Sequence, residues 1–304
     1  MRIKLLYRHG EVWPWSMGKG FENALKELGH DIDVFISEKD SGHQVNQYEA
    51  LYKFLEEPCD LFLAMGGGDK YRAFHYNEKI REYVRSMKVP RLAYFMESMK
   101  TRTITKMRYE STVSLWSHIL TCDETELEGI KHLGCKNVEY APGWVDEKVF
   151  YPMDIPVKHE FQFIGYVHKH RLLYVEHFAK HIGMRVGNYG TVEQYAEGIN
   201  ETKVVIGIPS VFQGLAQRVS ETLACGKVLL HKVLPEELEL SRQVFKDKEH
   251  IVFYKTMEEA VELAKYYASH DSEREKIEKS ARAEILAKHT ILQRAREFIY
   301  YAHA

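Results

Sequence analysis

The chain is poor in the features that mark specialised proteins, and each shortage narrows its class. No apolar run approaches the roughly twenty residues needed to span a bilayer, and the apolar part of MRIKLLYRHG is too short for a secretory leader. Only four of its 304 residues are cysteines, Cys59, Cys122, Cys135 and Cys225. None falls in a C-x-x-C or zinc-ligand spacing, so they read as reduced structural thiols of a cytoplasmic protein. Charge of one sign is also missing. Lys and Arg number 42 against 44 Asp and Glu, a formal net charge of −2, which supplies no global attraction to nucleic acid or anionic lipid. There is no low-complexity tract and no short-period repeat.

What is present is a regular alternation of short apolar runs with amphipathic stretches. Runs at 3–7, 32–36, 61–65, 91–95, 119–121 and 138–140 read as strands. Helical patterns at 20–28, 45–55, after the third run toward Met87, and at 124–133 separate them. The segment APGWVDEKVFYPMDIP carries three prolines and no periodicity, and reads as a linker. A second alternation places strands at 161–165, 184–186, 204–208, 228–231 and 251–254. From Met257 onward the chain reads as helical, with breaks near 269–271 and 290. Alternation of this kind predicts α/β architecture with parallel sheets covered on both faces, here two Rossmann-like doubly wound domains in series. Ligands in such domains gather beyond the C-terminal ends of the strands.

The candidate sites follow from that rule. The segment PSVFQGLAQRVSETLACG, residues 209–226, succeeds the run Val204–Ile208 and precedes Val228–Leu230. It reads as strand, polar loop, a helix over 215–224, and a glycine stop at Gly226. A helix start in that place offers free N–H groups and partial positive charge to a phosphate. Arg218 and Glu221, three residues apart, either form a surface ion pair or divide their work, the arginine on phosphate and the glutamate on a ribose diol. After strand 161–165, Gly165 closes the strand while Lys169 and Arg171 stand at its mouth, as a solvated basic turn or as a diphosphate clamp. Gly18 and Gly20 sit just before a helix, where small residues let backbone approach a phosphate or sugar. His9 follows the first strand and Glu97 the fourth; either could orient an acceptor hydroxyl. Gly66–Gly68 with Asp69 lack the Gly-Lys-Ser/Thr of a Walker loop. Asp31-Ile32-Asp33 opens a strand at the wrong edge for ligand binding, and His168-Lys169-His170 are alternate loop residues, so no metal site is expected.

These residues resemble a family. PSVFQGLAQRVSETLACGKVLL is similar to the donor site of group 1 nucleotide-sugar glycosyltransferases through Pro209, Ser210, Phe212, Gly214, Glu221, Ala224 and Gly226. APGWVDEKVFYP resembles their interdomain segment through Gly143, Asp146, Phe150 and Pro152. LKELGHDIDVF resembles their helix-to-second-strand passage. The C-terminal stretch YKTMEEAVELAKYYASHDSEREKIEKSARAEILAKHT is similar to the CgeB-like, spore-maturation-type branch, in which an arginine at the place of Arg218 is typical.

The resemblance implies a GT-B fold, two Rossmann-like domains facing a cleft. Its domains would be an acceptor domain over 1–143, a linker over 144–152, a donor domain over 153–289, and a C-terminal helix over 290–304 that could pack back on the first domain. It implies retaining, metal-independent transfer from a nucleoside-diphosphate sugar such as a UDP-sugar, with no cofactor required. By that analogy Glu221 holds the ribose, Gly165, Lys169, Arg171, Gly214 and Arg218 surround the diphosphate, and Gly18 and Gly20 close on it from the other domain. Gln213 stands where the family carries the glutamate that touches the sugar. An amide there keeps hydrogen bonding and loses charge. The acceptor stays open among glycan, small molecule, protein and modified nucleic-acid base. A non-catalytic nucleotide-sugar-binding protein and a sugar-nucleotide epimerase of the same fold are the other readings.

Overall fold

The computed structural model describes residues 1–7, 17–36, 44–66, 72–100, 103–209, 211 and 214–303. His9, Gln213 and the Gly67–Asp69 stretch lie outside the described residues. The chain divides into two compact units. One takes in the described residues up to Pro142 together with those from Leu292 on; the other is Gly143–Ile291.

The first unit is built on strands β1 (Arg2–Tyr7), β2 (Asp31–Ile36), β3 (Leu61–Gly66), β4 (Arg91–Phe95), β5 (His118–Thr121) and β6 (Val138–Tyr140). They form one parallel sheet in the order β2-β1-β3-β4-β5-β6. Helices α1 (Met17–Glu27), α2 (Gln44–Glu56), α3 (Arg72–Tyr76), α4 (Glu78–Ser86), α5 (Thr103–Glu110) and α6 (Leu127–His132) connect them. The second unit carries β7 (His159–Ile164), β8 (Arg185–Gly187), β9 (Thr202–Gly207), β10 (Val228–Lys232) and β11 (Val252–Tyr254), also parallel, in the order β11-β10-β9-β7-β8. Its helices are α7 (Leu172–Ile182), α8 (Val192–Asn200), α9 (Arg218–Ala224), α10 (Glu239–Val244), α11 (Met257–Ser269) and α12 (Asp271–Lys288), and α13 (Ile291–His303) follows.

Continuous apolar runs form these strands because both sheet faces are covered. All of β3 is buried, as are the first four residues of β10. The edge strand β2 is only half-buried and carries Asp31 and Asp33; Arg2 Nε donates to Asp33 Oδ2 at 2.7 Å. The D-x-D sequence is thus part of an edge ion pair at the start of the sheet. Both sheets share one order: the second strand, the first, then the third and its successors. In each, the strand order reverses between the first and third strands, which run parallel, and that switch point is where such sheets hold ligands. The third strands share a further device. Tyr109 Oη donates to the carbonyl of Gly66 at 2.9 Å, and Tyr254 Oη to that of Gly207 at 2.8 Å. Each buried phenol adds a hydrogen bond to a strand-end carbonyl; that of Gly66 also accepts from Met96 N at 3.3 Å.

All the expected strands form, within two residues at each end. The helices depart more. α1 begins at Met17, so Gly18 and Gly20 lie inside its first turn rather than before it. The helix expected toward Met87 is two helices, broken at Asn77, whose side chain accepts from Ile80 N and caps α4. The stretch expected as one helix over 124–133 opens with a tight 3-10 turn. α10 was not expected. In the segment read as a linker, Trp144 and Phe150 are buried. Val145 N donates to His289 O at 3.0 Å and Ile291 N to Val145 O at 2.8 Å, so the chain enters and leaves the second unit side by side. α13 then packs on the first unit: Phe298 is fully buried against Phe21 and Tyr94, at ring separations of 5.0 and 6.3 Å. Phe298→Ala should cost about 3–5 kcal/mol in denaturant unfolding. A loss below about 1 kcal/mol would show that α13 does not hold this unit together.

Candidate functional site

The switch point of the second unit lies at the ends of β7 and β9, and the sequence-expected donor residues converge there. β7 ends in Ile164, and Gly165 follows with φ +141°, a conformation that favours glycine. A second constraint acts on the same residue. A Cβ there would lie 3.0 Å from Arg218 Nη1 and 3.2 Å from its Cζ. The bare Cα is the floor on which the Arg218 guanidinium rests. The chain then turns through Lys169–Arg171 into α7.

Arg171 is 4% exposed. Its Nη1 donates to Tyr166 O at 2.8 Å and its Nε to Pro209 O at 3.1 Å, fastening the loop after β7 to the loop after β9. Arg218, the first residue of α9, lies beside it. Both guanidiniums sit near the ring of buried Phe163, with Cζ atoms 5.3 and 5.1 Å from its centroid. Burial, and then repulsion from Arg218, lower the pKa of Arg171 to about 10. Burial also lowers that of Arg218, against the attraction of Tyr195 and Glu221. Arg218 Nη1 is shut off from water and has no hydrogen-bond partner among the described residues. Neither arginine has a carboxylate within ion-pair distance among those residues. Glu221 attracts Arg218 without an ion-pair contact, so two adjacent guanidiniums leave an excess of positive charge that is costly away from water, and the pair marks a place suited to an anion.

Glu221 is 3% exposed, which excludes the surface ion pair. Tyr195 Oη of α8 donates to Glu221 Oε2 at 2.7 Å. Burial raises the Glu221 pKa to about 7, against the lowering effect of the Tyr195 bond and of Arg218. His231, at the end of β10, is buried and pairs its Nδ1 with Lys232 O at 2.7 Å; burial pushes its pKa down to about 4, and Arg218 adds to the fall. The ring is therefore neutral beside the arginine.

α9 starts three residues later than the sequence suggests, at Arg218 rather than Leu215. Leu215 is buried in the core, and side chains from the first turn reach outward to fixed carbonyls. Gln217 Nε2 donates to Trp144 O, and Ser220 Oγ to Gly143 O at 2.7 Å. Gly143 is held to glycine by the Gln217 side chain, 2.7 Å from where a Cβ would be. Gly226, with φ +65°, terminates the helix as expected.

The remaining expected residues are dispersed. Gly214 is buried just before α9, and Lys169 is exposed in the turn that carries buried Arg171. Gly18 has a packing explanation: a Cβ would overlap the ring of Tyr7, so the glycine lets α1 lie against β1. Glu97 is half-buried after β4, its Oε2 accepting from Thr105 Oγ1 at 3.4 Å. The loop around it is fastened by a buried acidic group. Ser98 Oγ donates to Asp123 Oδ2 at 2.7 Å, and Glu126 accepts from the backbone of Met99. Burial raises the Glu126 pKa to about 7. Sequence reasoning missed Phe163, Tyr195 and His231. Each reads as an ordinary apolar or amphipathic position, and only the fold brings it to the arginines. Among the described residues no three His, Cys, Asp or Glu side chains cluster as metal ligands, and no helix is long and apolar enough to cross a membrane.

Residues 156–300 match the family described as glycosyl transferase-like. Among curated protein sequences none matches significantly. Several solved structures share the fold over the whole chain. A sucrose-phosphate synthase from Thermosynechococcus elongatus aligns over 100% of both chains with TM-score 0.67 and 11% identity. Anabaena HepE, in complex with UDP-glucose, aligns over 99% of this chain and 100% of its own, with TM-score 0.69 and 9% identity. An alpha-glucosyltransferase in complex with UDP and a 13-mer DNA containing an HMU base aligns over 99% of both chains, with TM-score 0.70 and 12% identity. The fold is GT-B.

If Arg218 is held for a ligand and not for stability, Arg218→Met should leave the melting temperature of the ligand-free protein nearly unchanged, because relief of its repulsion with Arg171 and a new sulfur–ring contact offset the lost attraction to Glu221. Arg171→Met should lower it through loss of two backbone hydrogen bonds, worth about 1 kcal/mol each. Calorimetry of the two variants checks this. A fall of several degrees in Arg218→Met would mean that its guanidinium is a structural anchor.

Proposed function

We propose that the chain transfers a sugar from a nucleoside-diphosphate sugar to an acceptor hydroxyl. The enzyme class is that of a nucleotide-sugar-dependent glycosyltransferase, from the glycosyl transferase-like domain and the GT-B fold together. The single observation behind the donor site is the pair of guanidiniums at the switch point, buried Arg171 and half-buried Arg218, the latter with its Nη1 shut off from water and unpartnered, and neither in an ion pair among the described residues. A diphosphate supplies the missing charge and the missing hydrogen-bond acceptors. Glu221, one turn further along α9, is set to accept from a ribose diol, and UDP is the nucleotide we favour because two of the fold's relatives were solved with UDP or UDP-glucose.

In this reading the chemistry is electrostatic. As the glycosidic bond breaks, charge grows on the departing diphosphate, and preorganised cations in a dry site lower the barrier most where that charge appears. Arg171 cannot swing away, being tied to two carbonyls. Arg218 is confined between Gly165 and Phe163. With two fixed cations on the leaving group, the reaction needs no divalent metal, and the departing phosphate can take the acceptor proton. Retention of configuration suits a mechanism in which both events happen on one face of the sugar. Gln213 would hydrogen-bond the sugar without contributing charge, which leaves the arginines as the principal stabilisers. His9 and Glu97 remain the candidates for orienting the acceptor. A cytoplasmic location fits the four free cysteines. The formal net charge of −2 gives no support to a nucleic-acid acceptor.

UDP and UDP-glucose should raise the melting temperature, since both bind only the folded state. Glu221→Ala and Arg218→Lys should each raise the UDP dissociation constant ten- to a hundredfold, matching loss of a charge-assisted bond worth ~1.5–3 kcal/mol, with the fold intact by circular dichroism. No thermal shift with any nucleoside diphosphate or nucleotide sugar would refute the reading.

A further inference from the structure

Glu221 has one hydrogen bond among the described residues, from Tyr195 Oη to Oε2 at 2.7 Å. Tyr195 is buried on α8 and its ring is wedged edge-on against Phe150, 5.6 Å between centroids. The phenol cannot follow the carboxylate if the carboxylate moves, so it sets the rotation of the whole group. With Oε2 so engaged, Oε1 is the oxygen left to a ligand. The bond also acts on charge, because a hydrogen bond donated to a carboxylate favours its ionised form. We propose that Tyr195 is a positioning residue of the donor site, which keeps Glu221 ionised and turned toward the nucleoside and thereby makes nucleotide affinity depend on pH near neutrality. This rests on the donor-binding reading above.

The charged surroundings leave little else to perform either task. On its own helix Glu221 meets Arg218, which attracts it, and Cys225, whose thiol is pushed up to about 12 by burial and by Glu221. From β10 the nearest titratable group is His231, which pairs with Lys232 O and is neutral. From α12, Arg282 donates to Ala224 O, Glu278 accepts from Val228 N, and Arg274 lies between Asp271 and Glu278. Lys227, after α9, is drawn to Glu278 and Cys225. Among the described residues Arg218 is the one cation acting on Glu221, and a bound diphosphate would occupy it. From that moment Tyr195 would be the remaining protein group holding the proton off.

The sign follows from the group. Burial has already raised the Glu221 pKa to about 7, so lowering the pH through neutrality protonates it. A neutral carboxyl is a weaker acceptor than a carboxylate, and affinity for the nucleoside part falls. Removing the phenol moves that loss to higher pH.

The test is calorimetric binding of UDP, and separately of pyrophosphate, between pH 6.0 and 8.5, to the wild-type chain, Tyr195→Phe and Glu221→Gln. Glu221→Gln supplies the dependence due to the phosphates alone. Wild-type UDP affinity should fall several-fold more than that between pH 8 and 6. Tyr195→Phe keeps the ring against Phe150. It should bind UDP about tenfold more weakly at pH 7, with the defect shrinking to about threefold at pH 8.5, where the carboxylate ionises unaided. Its pyrophosphate affinity should stay within twofold of wild type. A variant that binds UDP like the wild type at every pH would overturn the proposal. So would one that loses UDP and pyrophosphate equally, since that is the mark of a merely structural role. A wild-type chain that binds neither probe would overturn the donor-site reading and this inference with it.

Discussion

Two positive charges, held side by side over one phenyl ring and neither in an ion pair among the described residues, are the constraint on which the second unit depends. Left alone, like charges at this depth repel and desolvation penalises both. The fold tolerates them by spreading the burden. Phe163 offers both guanidiniums its ring electrons. The carbonyls of Tyr166 and Pro209 accept from Arg171. Gly165 gives up its side chain so that Arg218 has room. Three neighbouring strands, β7, β9 and β10, bring almost wholly buried apolar faces to the same edge. Their burial, at roughly 25 cal/mol per Å², is the reservoir against which the charges are held.

The same constraint explains the shape of α9. An isolated seven-residue helix has little stability of its own, and this one begins late because Gln217 and Ser220 are bound to the carbonyls of Trp144 and Gly143. Those bonds tie the arginine-bearing end of the helix to the point where the chain enters the unit. Gly226 closes the other end. Position 218 is therefore fixed from three directions before any ligand arrives, which is what preorganised electrostatics requires.

Much of this could be read from the residues. Strands were legible because each is a nearly unbroken apolar run bounded by polar loops, and the parallel sheets follow from their spacing. The convergence of Gly165, Arg171, Arg218 and Glu221 was legible because a strand–loop–helix pattern fixes where such side chains project. Three kinds of information were not. Helix starts were off where tertiary bonds override local pattern, as at Leu215, or where a glycine such as Gly18 looks like a loop but serves close packing against Tyr7. Partners distant in sequence were invisible: Tyr195 lies 26 residues from Glu221, and nothing in its amphipathic helix sets it apart from a core tyrosine. The electrostatic character of the arginines was also hidden, since exposure decides between a solvated basic turn and a clamp, and a linear string carries no exposure.

The two units make one further point about how a single topology takes on different work. Both sheets run in the same order, and both quiet the end of the third strand with a buried tyrosine, Tyr109 on Gly66 and Tyr254 on Gly207. Their polar residues at the strand ends differ in sign. In the second unit these are guanidiniums. In the first, the segments after β4 and β5 carry Glu97, which accepts from Thr105, and Asp123 and Glu126, which share Ser98 while Thr121 donates to Glu126. A group of carboxyls repels a diphosphate and accepts hydrogen bonds from hydroxyls, while paired guanidiniums do the opposite. Burial has raised the Glu126 pKa to about 7, so that carboxyl is partly protonated near neutrality and its share of the negative field is moderated. The shared backbone plan fixes where ligands can bind, and the sign of the buried charge at each edge decides which kind of ligand that edge can hold.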